Sequence, residues 1–149
     1  MFLSSDRSTL RRFFVVAWRK MLEAAPLEPL EDMVARIVDE HPEYHSLLGD
    51  DAAVDRDFTV SEGQANPFLH MSMHVAIQEQ VSTNRPDGIR PLYADLVPRF
   101  GDAHALEHAM MECLSLSLWQ AQQSGSLPDE HAYLECVSAL KRRGAGTRG

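Results

Sequence analysis

Apolar residues along this chain recur mainly with the period of an α-helix. The segment 29–41 shows the period most clearly, through apolar side chains at Leu30, Met33, Val34, Ile37 and Val38. Positions i, i+3, i+4, i+7 and i+8 lie on one face of a helix, so this segment predicts a helix with one buried face. No segment shows the convincing alternation of a half-buried strand. The pattern therefore predicts an all-α fold.

Capping residues and helix breakers set the expected boundaries. Asn66-Pro67 and Asp102 are start signals, because Asn and Asp cap helices and Pro fits the first helical position. Ser5 is the expected cap of the first helix, and Pro42 breaks the second. The predicted helices cover approximately residues 6–24, 29–41, 67–81, a short stretch from 91, 103–123 and 128–140. The acidic stretch 50–65 is predicted to be a surface loop.

Length and charge bound the class of protein. A chain of 149 residues suits one domain, so we expect a single helical bundle of five or six helices over 1–140 and a flexible basic tail over 141–149. The net charge of −8 disfavours nucleic acid or an anionic membrane as partner. No apolar run could span a bilayer and no signal peptide is recognisable, which predicts a cytoplasmic protein. A protein partner or a homo-oligomer stays open.

Histidine spacing is the most informative chemical feature. Six of the seven histidines form three pairs four residues apart, namely His41/His45, His70/His74 and His104/His108. Random placement would give about 0.3 such pairs. Side chains at i and i+4 of a helix point the same way, with Cβ atoms about 5–6 Å apart. Two imidazoles so placed can bind one metal ion, and two pairs on facing helices supply four nitrogens.

The faces of two helices indicate that four histidines point inward. The histidines of the 67–81 helix share a face with Ile77, whereas Ser72 and Glu79 lie opposite, on the side predicted to be wet. The 103–123 helix is apolar almost all round, which is typical of a central helix. Buried imidazoles need partners for both ring nitrogens, and a shared metal ion provides them. A metal-free hydrogen-bond network among the histidines is the alternative.

The remaining histidines are weaker candidates. Pro42 separates His41 from His45, so His41 can cap a helix and not pair with His45. We keep both as candidate ligands at the edge of the site. His131 stands alone near a helix start and is predicted to lie at the surface.

Acidic residues bear on the metal and its chemistry. Glu112 continues the i+4 series of His104 and His108, which makes it the candidate oxygen ligand or general base. Glu107 is predicted to be solvated or to support a ligand without touching the metal. Nitrogen ligands with one acid suit zinc, whereas more oxygen ligands and an open position suit iron or manganese. The expected cofactor is one or two divalent ions, zinc or iron.

Three classes of function fit this site. An enzyme would use the metal for hydrolysis or oxygen chemistry at an open coordination position. A sensor or carrier would hold the ion in a closed shell. A metal-free interaction protein would use the histidines only as core architecture.

The two cysteines are expected to lie level with each other. A helical hairpin that turns near Gly125 places Cys113 twelve residues before the turn and Cys136 eleven after it. In a reducing cytoplasm, two buried free thiols are the expected state, and a redox-sensitive pair is the alternative.

Several strings together resemble a known family. They are NPFLHMSMHVAIQEQ (66–80), NRPDGI (84–89), GDAHALEHAMMECLSLSLWQAQ (101–122) and PDEHAYLEC (128–136), with RRFFVVAWRK and HPEYH nearer the N-terminus. They resemble an uncharacterised proteobacterial family of unknown function. The resemblance implies an all-helical single domain and supplies no activity.

Overall fold

The computed structural model describes residues 6–49 and 66–146. The described residues form seven α-helices and a 3-10 turn, in the order α1 Arg7–Leu22, α2 Pro29–Asp39, the 3-10 turn Pro42–Tyr44, α3 His45–Leu48, α4 Pro67–Thr83, α5 Ile89–Phe100, α6 Ala103–Ser124 and α7 Glu130–Gly146. These two ranges contain no strand, which confirms the all-α prediction. The helix count exceeds the expected five or six. The loop over 50–65, the cap at Ser5 and the last three residues of the tail lie outside the described residues.

Polar side chains cap the N-termini of α4, α6 and α1. The side chain of Asn66 accepts two backbone N–H groups of α4, at 3.1 and 3.2 Å. Asp102 accepts the N–H of Ala105 at 2.8 Å and so caps α6. Both caps were expected from the sequence. At α1 the observed cap is Asp6, whose carboxylate accepts the N–H of Thr9 at 3.2 Å.

The last helix extends further than expected. α7 runs from Glu130 to Gly146, so residues 141–146, assigned to a flexible tail from sequence, continue the helix. None of the helices within 6–49 and 66–146 is long and apolar enough to cross a membrane.

The chain divides into two compact units, unit 1 over Met1–Ala76 and unit 2 over Ile77–Gly149. The uninterrupted helix α4 contributes residues to each. The domain boundaries 1–140 and 141–149 remain predictions.

Unit 1 is built on the packing of α1 against α2 and α3. Its core consists of buried apolar side chains, among them Phe14, Trp18, Val34, Ile37, Val38, Phe68 and Met71. The rings of Phe14 and Phe68 meet edge to face at 6.1 Å, a favoured aromatic geometry. α4 is buried over all of residues 71–77. Ser72 is therefore buried, and its expected place on a wet face is wrong.

Unit 2 is built on mutual packing of α5, α6 and α7. Its core includes the buried side chains of Ile89, Leu96, Leu106, Met110, Val137 and Leu140. A disulfide between Cys113 and Cys136 joins α6 to α7, with Cα atoms 5.7 Å apart. The expected level register of the two cysteines is confirmed, but the expectation of free thiols is wrong. The hairpin register brings the two Cα atoms within the distance that a disulfide spans.

Candidate metal centre

Three histidine rings of unit 1 form a triangle. His41 follows the end of α2, whereas His70 and His74 lie one turn apart on α4. The ring centroids are 5.1 Å apart in each of the three pairs, and the ring planes are inclined by 54° to 81°. His41 and His74 are buried, and His70 is partly exposed. His41 and His74 each offer a ring nitrogen within 4.8 Å of the other's.

The spacing of this triangle matches the spacing of imidazoles around one ion. A Zn–N distance of about 2.0–2.1 Å places the ring centroid about 3.2 Å from the ion, so tetrahedral directions separate two centroids by about 5.2 Å. The observed 5.1 Å agrees with this value. Centroid distances do not locate the ring nitrogens, however. Of these three rings, His41 and His74 offer nitrogens within 4.8 Å of each other, and His70 is not in the group that meets this limit among the described residues.

A backbone hydrogen bond fixes the tautomer of His41. Its Nδ1 lies 2.7 Å from the carbonyl oxygen of Ile37. A carbonyl only accepts, so Nδ1 carries the proton and the lone pair of the neutral ring is on Nε2. Histidines that bind metals commonly donate their other ring N–H to a backbone carbonyl in this way, which orients the ligating nitrogen.

The turn after α2 explains the position of His41. Pro42 cannot continue α2 and begins a 3-10 turn. His41, just before it, has left the helical conformation, with φ −125° and ψ 68°. Tyr44, at the end of the turn, stacks on the His41 ring at 5.5 Å and lies 6.4 Å from the His70 ring. Burial, followed by the negative charge of Glu43, raises the pKa of Tyr44. Sequence reasoning passed over Tyr44, although it lies within the HPEYH string.

His45 has different surroundings from the triangle. Its ring lies against Trp18 with centroids 4.5 Å apart. Its Nε2 donates to the carbonyl of Val38 at 2.9 Å. The pair His41/His45 therefore does not share a helical face, because α3 begins only at His45.

Unit 2 presents the second helical pair. His104 and His108 follow the Asp102 cap on α6, and their ring centroids are 4.3 Å apart. Each offers a ring nitrogen within 4.8 Å of the other's. His104 is partly exposed and His108 is exposed. The i, i+4 spacing on a regular helix brings these two rings together as expected.

The two acids of α6 are placed differently from what the spacing suggested. Glu112 is exposed, and its carboxylate pairs with Arg143 of α7 at 3.1 Å. Glu107 is only 1% exposed. Its carboxylate accepts hydrogen bonds from the hydroxyl of Tyr93 at 2.6 Å and from the side-chain amide of Gln78 at 3.2 Å. The buried acid of this helix is thus Glu107, and spacing alone gave no signal for its contacts with Tyr93 and Gln78.

His131 lies at the surface, as expected. Its ring is 84% exposed and stands 3.6 Å from Glu135 on the same helix. This histidine therefore serves as a reference that has the same chemistry but none of the surroundings of the triangle.

The fold and these side chains define a class of all-helical protein with paired histidines on its helices. The chain belongs to the family described as domain of unknown function DUF1841, whose match covers residues 6–139. This confirms the resemblance to a family of unknown function that the sequence strings indicated. Neither a curated protein nor a solved structure matches the chain.

Proposed function

We propose that the protein binds one or two divalent metal ions, zinc or iron, through histidines of both units. The observation on which this rests is that the ring nitrogens of His41 and His74, and those of His104 and His108, lie within 4.8 Å of each other. The ring centroid of His70 lies 5.1 Å from those of His41 and His74. Nitrogen ligands suit zinc and also suit iron. The hydrogen bond from His41 Nδ1 to the carbonyl of Ile37 supports the same conclusion. It leaves the lone pair on Nε2, the nitrogen that would bind the ion.

The proposed ligands are His41, His70 and His74 of unit 1 and His104 and His108 of unit 2. His104 and His108 are one turn apart on α6, and each offers a ring nitrogen within 4.8 Å of the other's. Residues four apart are neighbours on a helix surface, so this pair is a second candidate set of ligands.

The number of bound histidines decides which chemistry the site suits. A closed shell of four imidazoles suits a sensor or a carrier. Three imidazoles leave a coordination position for water, which an ion can activate for hydrolysis or use for oxygen chemistry. Partly exposed His70 and exposed His108 are the ligands through which the shell can open.

Elemental analysis of untagged protein, purified without chelators, tests the proposal. The wild type is expected to contain about one or two equivalents of metal or to take them up from added zinc or ferrous iron. Two double variants, His41→Ala/His74→Ala and His104→Ala/His108→Ala, are expected to lose them. His131→Ala is the matched control and is expected to keep the wild-type content. Circular dichroism checks that each variant is folded.

The pattern of losses separates the parts of the proposal. Loss in both double variants supports histidine ligands in each of the two units. Retention in His104→Ala/His108→Ala alone would restrict the site to unit 1. A wild type that is empty and refuses zinc, iron and manganese would end the metal proposal and leave the histidines as metal-free core architecture.

A further inference from the structure

Three helices of unit 2 hold one buried carboxylate in a fixed orientation. Glu107 of α6 receives a short 2.6 Å hydrogen bond from Tyr93 of α5. It also receives the amide of Gln78 of α4, at 3.2 Å to one oxygen and 3.4 Å to the other. A carboxylate that is 1% exposed is costly to bury unless it is hydrogen-bonded, and these two bonds fix its position.

The position of Glu107 on α6 places it beside a proposed ligand. His104 precedes it by three residues, and residues at i and i+3 are neighbours on a helix. Metal-binding histidines commonly donate their second ring N–H to a carboxylate, which orients the ring and makes the ligating nitrogen more basic. An ionised carboxylate accepts at about four lone-pair positions, so the bonds from Tyr93 and Gln78 are compatible with one from an imidazole.

We propose that Glu107 is a positioning residue of the metal site, whose carboxylate accepts the ring N–H of His104 and strengthens binding of a divalent cation. The inference rests on the proposed function. It transfers the acidic role from Glu112, which was expected to hold it, to an acid whose surroundings fit. Glu112 is exposed and paired with Arg143, so its charge is already compensated at the surface.

Matched variants test this role by zinc affinity, measured in competition with a chromogenic chelator, and by the visible spectrum of bound Co²⁺. Glu107→Gln is expected to weaken zinc binding about 10- to 100-fold and to shift the Co²⁺ bands, because the ring of His104 then donates to a neutral amide oxygen and not to a carboxylate. Glu112→Gln, the same change five residues later, is expected to leave both unchanged. Glu107→Asp keeps the charge and is expected to retain more affinity than Glu107→Gln.

Two tyrosines provide a second matched pair, which keeps the test valid if Glu107→Gln fails to fold. Tyr93→Phe deletes only the hydroxyl that holds Glu107 and is expected to weaken zinc binding. Tyr133→Phe deletes a hydroxyl that bonds Gln80 instead and is expected to leave the zinc affinity unchanged.

Each failure has its own signature. Equal zinc affinities and Co²⁺ spectra for Glu107→Gln and Glu112→Gln, beside a wild type that binds, overturn the role of Glu107 and leave the metal proposal standing. Equal affinities of Tyr93→Phe and Tyr133→Phe overturn it in the same way. A wild type that binds none of zinc, cobalt, iron and manganese overturns both proposals.

Discussion

Tyr133 shows how burial fixes the protonation of one side chain. It is a core residue of α7, and its hydroxyl donates to the side-chain oxygen of Gln80 at 2.7 Å. Burial raises the pKa of Tyr133 well above its ordinary value of 10.0, and the hydrogen bond to Gln80 offsets only part of that rise. The folded protein therefore keeps a neutral phenol at a pH where the unfolded chain ionises it.

This shift predicts a loss of stability in alkali. Below about pH 10 the phenol is neutral in both states, and its contribution is fully present; above that pH only the unfolded chain gains by ionising, so the free energy of unfolding falls. Tyr133→Phe cannot titrate there. Its free energy of unfolding is expected to lie about 1 kcal/mol below wild type at neutral pH, because Gln80 loses its donor, and this deficit is expected to shrink as the pH rises.

Urea unfolding from about pH 7 to about pH 11 measures this difference. The other tyrosines are common to both proteins and cancel in the comparison. Stability curves that stay parallel over the whole range would contradict the assigned shift of Tyr133.

The two acids of α6, Glu107 and Glu112, show how much the spacing of residues in the sequence can predict about a single side chain. Helical period correctly predicts that Glu112 follows His108 along the helix. It cannot predict that Arg143 of α7 pairs with Glu112, or that Tyr93 and Gln78 surround Glu107. Those contacts join residues far apart in sequence, so they depend on how helices pack and not on the order within one helix.

At the level of elements, histidine pairs were predictable only where a helix is continuous. The pairs on α4 and α6 lie inside regular helices, and their rings are close as i, i+4 spacing requires. In HPEYH the same spacing fails, because Pro42 starts a 3-10 turn. His41 then lies beside His70 and His74, while His45 lies against Trp18. The spacing of residues in the sequence cannot predict that His41 and His45 have different neighbours, because those neighbours are set by the packing between helices.

The disulfide between α6 and α7 should contribute measurably to stability. It closes a loop between residues 23 apart in sequence, and a loop of this size restricts the unfolded chain by about 3 kcal/mol. The free energy of unfolding of the double variant Cys113→Ser/Cys136→Ser is therefore expected to be lower than that of wild type by about this amount. Urea unfolding measures the difference. Adding a reductant should lower the stability of wild type and leave that of the variant unchanged.

A thiol count under denaturing, non-reducing conditions is the control for this prediction. No reactive thiol is expected before reduction and two after it. Two thiols in the untreated protein would contradict the disulfide. The count also bears on the predicted cytoplasmic location, because disulfides persist mainly in oxidising compartments.

At the scale of the whole molecule, hydrophobic period was sufficient for the fold class. Each long helix has an expected counterpart in the sequence, and the family match covers residues 6–139. The division into units at Ala76 and Ile77 had no such signal. It falls inside α4, where an uninterrupted run of buried residues shows no break in composition or periodicity.

A bound ion should stabilise the whole chain if the metal proposal holds. A ligand that binds only the folded state, at about 100 times its dissociation constant, adds about 2.7 kcal/mol. For a chain of this size, that gain raises the melting temperature by roughly 5–10 °C. Wild-type protein freed of metal is therefore expected to melt higher after zinc is added, as calorimetry can measure.

Two controls separate binding at the site from a general effect of cations on a chain with a net charge of −8. Magnesium prefers oxygen ligands, so it should shift the melting temperature little. His41→Ala/His74→Ala should melt at the same temperature with and without zinc, whereas His131→Ala should respond like wild type. An equal zinc response in all three proteins would assign the effect to surface charge, because only the first variant lacks the buried imidazoles of the proposed site.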